Sequence, residues 1–130
     1  MTDLAAWKRE ARARALARRD AAHAAGHPDP TRLLRGVLEG HRGEPLAGYV
    51  AMRTEIDPLP ALEAAAAHGP VGLPVMVARG APLRFRAWAP GAAMAEGGFG
   101  TRIPARGGWV VPRVLVVPLV AFDRRGGRLG

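Results

Sequence analysis

Apolar positions recur along the chain at two periods, with Gly and Pro between the segments. Over residues 3–24, Leu4, Trp7, Ala11, Ala15 and Ala22 return every three or four residues, with one missed turn at Arg18. That is the narrow stripe of an amphipathic helix. Asp3 is placed to cap its start, and Gly26 and Pro28 to end it. A short second helix is expected over 30–39. Asp29-Pro30 supplies its cap and first-turn proline, Leu33, Leu34, Val37 and Leu38 its buried face, and Gly40 its stop. Residues 46–52 read as a strand. A third helix repeats the Asp-Pro start at Asp57-Pro58, passes through Leu62 and the Ala64 to Ala67 block, and stops at Gly69. Residues 71–77 are the next strand. In 83–88, Leu83, Phe85 and Ala87 alternate with Arg84, Arg86 and Trp88, which suits a half-exposed edge strand or a hairpin arm. Residues 89–108 read as a loop rich in Gly and Pro. The strongest strand is 114–122, apolar on both faces as in a sheet covered by helices on both sides, with Pro118 implying a bulge or a break.

This element order predicts an α/β fold. The chain is expected to be a single domain over 1–130, without internal repeats beyond the two Asp-Pro helix starts. Of its 63 hydrophobic residues 26 are Ala, so the core is expected to be modest and to use Ala at close approaches. The chain has no Cys, which excludes a disulfide scaffold, a Cys-ligated zinc site and thiol chemistry. The longest apolar run, 114–122, is less than half the roughly 20 residues a membrane helix needs. The start of the chain goes straight into charged residues, unlike a secretory signal. A soluble, cytoplasmic protein with no membrane partner is expected.

Charge adds one constraint. The net charge is +8, and every cation except Lys8 is Arg. Such an excess fits anionic partners: phosphate groups, nucleic acid or a polycarboxylate. It fits equally a codon composition that favours Arg, Ala and Gly.

Three stretches could carry chemistry. Lys8 and Arg12, four apart on a helix, project side by side, and a Lys point charge beside an Arg fork can hold a polyphosphate, or form only a solvated face. Met52 to Pro58 lies between the C-terminal end of a strand and a helix, the edge at which α/β sheets bind ligands. Glu55 there could accept hydrogen bonds from a heterocycle, or be a surface carboxylate; Asp57 is more simply a cap. Phe122 to Gly130 follows the last strand and is rich in Gly, so its backbone N–H groups could approach phosphate, or it could be a flexible end. The four His residues are scattered and predict no metal site. The chain has no Ser and no Cys to serve as nucleophile, and its aromatic residues are too dispersed to form a stacking platform.

These stretches occur in the order of one family. The chain resembles 5-formyltetrahydrofolate cyclo-ligase, also called 5,10-methenyltetrahydrofolate synthetase. The matching residues are Lys8-x-x-x-Arg12; Tyr49-Val50-Ala51-Met52-x-x-Glu55-Ile56-Asp57; Gly72-Leu73-Pro74-Val75; Leu83-x-Phe85; Phe99-Gly100; and Val117 to Asp123 running into Gly127-Arg128-Leu129-Gly130. The resemblance implies a three-layer α/β fold, with helices on both faces of the sheet, related to sugar-phosphate isomerases and coenzyme A transferases. It implies a ligase that uses ATP and Mg2+ to close 5-formyltetrahydrofolate to 5,10-methenyltetrahydrofolate. The formyl oxygen is phosphorylated, N10 attacks the activated carbon and phosphate leaves. By the same resemblance Lys8, Arg12, Arg128, Leu129 and Gly130 would bind ATP, and Val50 and Glu55 the folate. No side chain is assigned as catalytic or as a metal ligand.

Ile103 stands where the family often has an acidic residue or Gln, and Arg113 where it often has an acidic residue. The family's segment also continues beyond the position of Gly130 into a Gly-rich run with paired Tyr and an Asp. The chain is therefore expected to lack the family's C-terminal part, and to turn over poorly if it is the whole polypeptide. A monomer or weak homo-oligomer without a nucleic-acid partner is expected. The alternative from another class is a basic, non-catalytic protein that binds nucleic acid or other polyanions.

Overall fold

The computed structural model describes residues 3–130. They form helices α1 (Leu4–Ala25), α2 (Arg32–Glu39) and α3 (Leu59–Ala66). The strands are β1 (Leu46–Ala47), β2 (Val71–Val75), β3 (Arg84–Trp88), β4 (Met94–Glu96), β5 (Arg102–Pro104), β6 (Trp109–Val110), β7 (Val114–Leu115), β8 (Ala121–Phe122) and β9 (Arg128–Leu129). Two compact units divide the described chain. Residues 3–28, 53–55 and 118–130 form one, and 29–52 with 56–117 form the other.

The larger unit carries a five-stranded mixed sheet in the order β6-β3-β2-β1-β7. β1 runs parallel to β2 and β7, while β3 is antiparallel to β2 and β6. Parallel neighbours cannot be joined by a tight turn, and α3 is the crossover between β1 and β2. Register sets the core. Leu46 lies opposite Val71, and Val71 opposite Trp88, so the three share one face with Leu73. Leu38 of α2 and Ala61 and Leu62 of α3 complete this cluster. Leu62 and Leu73 are fully buried. Gly48 makes the approach of α3 possible: a Cβ there would lie 2.5 Å from one methyl of Leu62 and 2.9 Å from the other.

In the smaller unit α1 begins as expected. The Asp3 carboxylate accepts from the Ala6 N–H at 3.1 Å, and Gly26, with φ of 73°, ends the helix in a conformation that costs a glycine little. β8 and β9 pair antiparallel, Ala121 with Leu129 and Phe122 with Arg128.

The α/β expectation holds as a mixed α/β fold, but several elements differ from their predicted extents. The 114–122 run is not one strand buried on both faces. It pairs with β1 only at Val114–Leu115, extended by a bond from the Val116 N–H to the Ala47 carbonyl at 2.9 Å. Leu115, Val117 and Leu119 are 51%, 45% and 39% exposed. Pro118, which has no N–H to donate, stands where the chain passes into the smaller unit. The 46–52 strand shortens to Leu46–Ala47. The 89–108 loop contains a hairpin, β4 with β5. β3 is a hairpin arm rather than an edge, with β2 and β6 on its two sides. α2 starts later than expected. Thr31 occupies its cap position, and Asp29 instead accepts from the Arg35 guanidinium at 2.9 Å.

Candidate functional site

Lys8 and Arg12 are exposed on α1, and neither has an ion pair or side-chain hydrogen bond with another described residue. At 3.6 residues per turn, Lys8, Arg12 and Arg19 fall within about 40° of one another around the helix. Arg19 marks what that edge faces. Its Nε donates to Thr54 Oγ1 at 2.9 Å, and the same hydroxyl donates to Asp20 Oδ1 at 2.6 Å. The segment carrying Glu55 is therefore latched onto the cationic edge of α1. Glu55 is half-buried. Arg53, with φ of 56°, takes a left-handed conformation that a non-glycine residue adopts at a cost. The Tyr49 hydroxyl donates to the Ile56 carbonyl at 2.7 Å and fixes the ends of this excursion. Along the axis, the latch at Arg19 stands about 10 Å from Arg12 and about 16 Å from Lys8.

The last segment shares this unit. Arg128 donates to the Gly130 backbone oxygen at 2.6 Å and approaches the Pro118 carbonyl at 3.4 Å. Leu129 is half-buried and pairs with Ala121. The Gly-rich turn between β8 and β9 corrects one expectation. Asp123 Oδ1 accepts from the N–H groups of Arg125 and Gly127 at 2.8 and 2.9 Å, so the turn already encloses an anion from its own chain. A Cβ at Gly127 would lie 2.7 Å from that carboxylate, so glycine is required there.

Six of the seven site residues expected from the sequence, namely Lys8, Arg12, Glu55, Arg128, Leu129 and Gly130, lie in segments of the smaller unit. Val50 does not. It belongs to the larger unit and packs against the hydrophobic core. Asp20 and Thr54 were not predicted to take part, and no local pattern connects residues 34 positions apart.

The larger unit has a separate cleft of about 440 Å³ between α2, the 41–44 turn and α3. None of the expected site residues lines it. Its charged rim is paired internally: Arg42 with Glu39, His41 Nδ1 with Glu44 at 3.0 Å, and Arg35 with Asp29. The hydrogen bonds that Arg35 donates to Asp29 raise the Arg35 pKa above its ordinary value. No group of three His, Asp or Glu side chains suited to hold a metal occurs among the described residues. No helix among them is long and apolar enough to cross a membrane.

A mixed sheet with a helical crossover, and a latched carboxylate loop against a cationic helix edge, define the class of architecture to compare. The chain is similar to the NMR structure of 5,10-methenyltetrahydrofolate synthetase from Aquifex aeolicus, with a TM-score of 0.72 and 26% sequence identity. The match covers 95% of this chain and 66% of that one, so the chain spans just under two thirds of the neighbour's length. No family model matches the sequence, and no curated protein does.

Proposed function

We propose that the chain is a folate-handling protein of the cyclo-ligase type, acting on 5-formyltetrahydrofolate and MgATP to give 5,10-methenyltetrahydrofolate. The observation that carries this reading is the structural likeness to the Aquifex synthetase over 95% of the chain. It is supported by the latch that joins the Thr54–Glu55 segment to Arg19 and Asp20 of α1, the helix that also carries Lys8 and Arg12.

Each residue has a task that follows from its chemistry. Lys8 and Arg12 supply a point charge and a planar fork that no carboxylate among the described residues pairs with, and they take the phosphates of ATP. The Glu55 carboxylate accepts from N–H groups of the pterin. Arg128 adds a cation, while Leu129 and Gly130 offer backbone groups to the nucleotide. Mg2+ arrives with ATP. No group of three carboxylate or imidazole side chains among the described residues is suited to hold it, so it would be bound mainly through the nucleotide and would supply neutralisation of phosphate charge. The residues' contribution is positioning and neutralisation of phosphate charge, which dominates phosphoryl transfer.

Calorimetric titration with 5-formyltetrahydrofolate and with MgATP tests the reading. The expected result is saturable binding of both, with ATP affinity lost in Lys8→Ala/Arg12→Ala and folate affinity retained. Absence of binding by either ligand to the folded wild-type chain would overturn it. Formation of the methenyl product, followed spectrophotometrically, then tests turnover.

A further inference from the structure

The antiparallel side of the sheet carries charge that the proposed function does not use. Between residues 64 and 122 the sequence has six Arg and one carboxylate, Glu96. Two of these Arg converge. Arg84 and Arg86 sit two apart on β3, on the face that also carries Trp88. Trp109 on β6 lies directly opposite Arg86 in the ladder. The guanidinium carbons of Arg84 and Arg86 lie 4.0 and 4.8 Å from the centroid of the Trp109 ring. The two cations are therefore at most about 9 Å apart, within a Debye length at physiological salt.

Neither cation forms an ion pair with a carboxylate among the described residues. Arg86 spends one N–H on the Pro104 carbonyl at 3.0 Å, and among the described residues Arg84 has only the indole contact. Stacking on the ring fixes each guanidinium plane and leaves most of its donors unused. The arrangement sits at an edge of the sheet, since β6 is an outer strand, and Trp109 is 39% exposed.

From this we infer a second anion site, formed by Arg84, Arg86 and Trp109, that binds a ligand carrying adjacent phosphate groups. Two preoriented forks at this spacing can each take one phosphate bidentately. The bound charge relieves the repulsion that the two arginines otherwise exert on each other. Such phosphates come from a free polyphosphate or from the phosphodiester chain of single-stranded nucleic acid. The inference does not depend on the folate reading, because none of its residues belongs to that site.

The test is NMR titration of the 15N-labelled chain, following the indole N–H of Trp109, with sodium tripolyphosphate and separately with a short oligothymidylate. The expected result is a saturable shift of that resonance at low salt, weakening steeply as salt is raised. Affinity should fall tenfold or more in Arg84→Gln/Arg86→Gln. It should fall by less in Arg84→Lys/Arg86→Lys, which keeps the charge but loses the planar stack. Lys8→Ala/Arg12→Ala should leave the Trp109 response unchanged. A shift with tripolyphosphate alone assigns the site to small polyphosphates. A shift produced only or more tightly by the oligonucleotide assigns it to nucleic acid. Either upholds the inference. No saturable shift with either probe up to about 1 mM, the weak end of specific binding, overturns it. A shift that survives unchanged in the Gln variant also overturns it and leaves the stack a packing feature. The wild-type titration needs no variant to fold.

Discussion

Thr54→Val removes one hydroxyl and keeps the shape, and it separates the Glu55 loop from α1. The hydroxyl accepts from Arg19 at 2.9 Å and donates to Asp20 at 2.6 Å. A buried hydrogen bond to a charged group is worth about 1.5–3 kcal/mol. Asp20 is exposed and Thr54 and Arg19 are half-buried, so screening reduces the pair to about 1–2 kcal/mol together. Urea unfolding followed by circular dichroism should show that loss. A cycle with Asp20→Ala should show coupling of about 0.5–1 kcal/mol, because Thr54 and Asp20 share one bond. The functional consequence is of similar size. A released loop no longer holds Glu55 against the cationic edge, so the affinity for 5-formyltetrahydrofolate should fall about tenfold, the equivalent of 1.4 kcal/mol. Strict additivity with Asp20→Ala, together with unchanged folate affinity, would refute the claim that this latch positions the site.

Three further outcomes follow from the same contacts. Gly48→Ala should cost about 1–3 kcal/mol by overpacking, and Leu62→Ala about 2–5 kcal/mol by cavity formation. The double variant should cost less than the two together, since the methyl added at position 48 enters space that Leu62 vacates; thermal or urea unfolding checks this. Lys8→Ala/Arg12→Ala should weaken MgATP by at least tenfold in calorimetry, with the urea midpoint nearly unchanged because both side chains are exposed and unpaired. Asp123→Ala should speed amide exchange at Arg125 and Gly127, which lose their acceptor, while exchange in the five-stranded sheet stays as it was.

Local signals were legible where one residue type has one physical use. Asp3 caps α1, Gly26 stops it, and the Asp-Pro starts located α2 and α3, although Leu33 and Val37 of the expected buried face of α2 stand 81% and 63% exposed. Strand extents were not legible. The 114–122 run shows that its side chains favour burial, but not that a partner surface exists for both faces. Only the bonds to Pro45 and Ala47 and the break near Pro118 show where pairing ends. The 46–52 segment is equally apolar, yet its ladder ends with the bond from the Gly48 N–H to the Gly72 carbonyl, and Gly48 is needed to admit Leu62. In the candidate site the pairing of Lys8 with Arg12 followed from helix geometry alone. The latch did not, because Asp20 and Thr54 look like ordinary surface polar residues until folding brings them together. The alternation of 83–88 placed Arg84 and Arg86 on one face, but only cross-strand register brings Trp109 to them.

The central claim is that the cationic edge of α1, the 53–55 loop and the β8–β9 segment serve one binding site. The direct measurement is an NMR map of the labelled chain titrated with MgATP and 5-formyltetrahydrofolate together. Coordinated shifts at Lys8, Arg12, Thr54, Glu55 and Arg128 to Gly130 are expected, with the resonances of the α2–α3 cleft undisturbed. Shifts confined to that cleft, or no shifts at all from a folded chain, would contradict it.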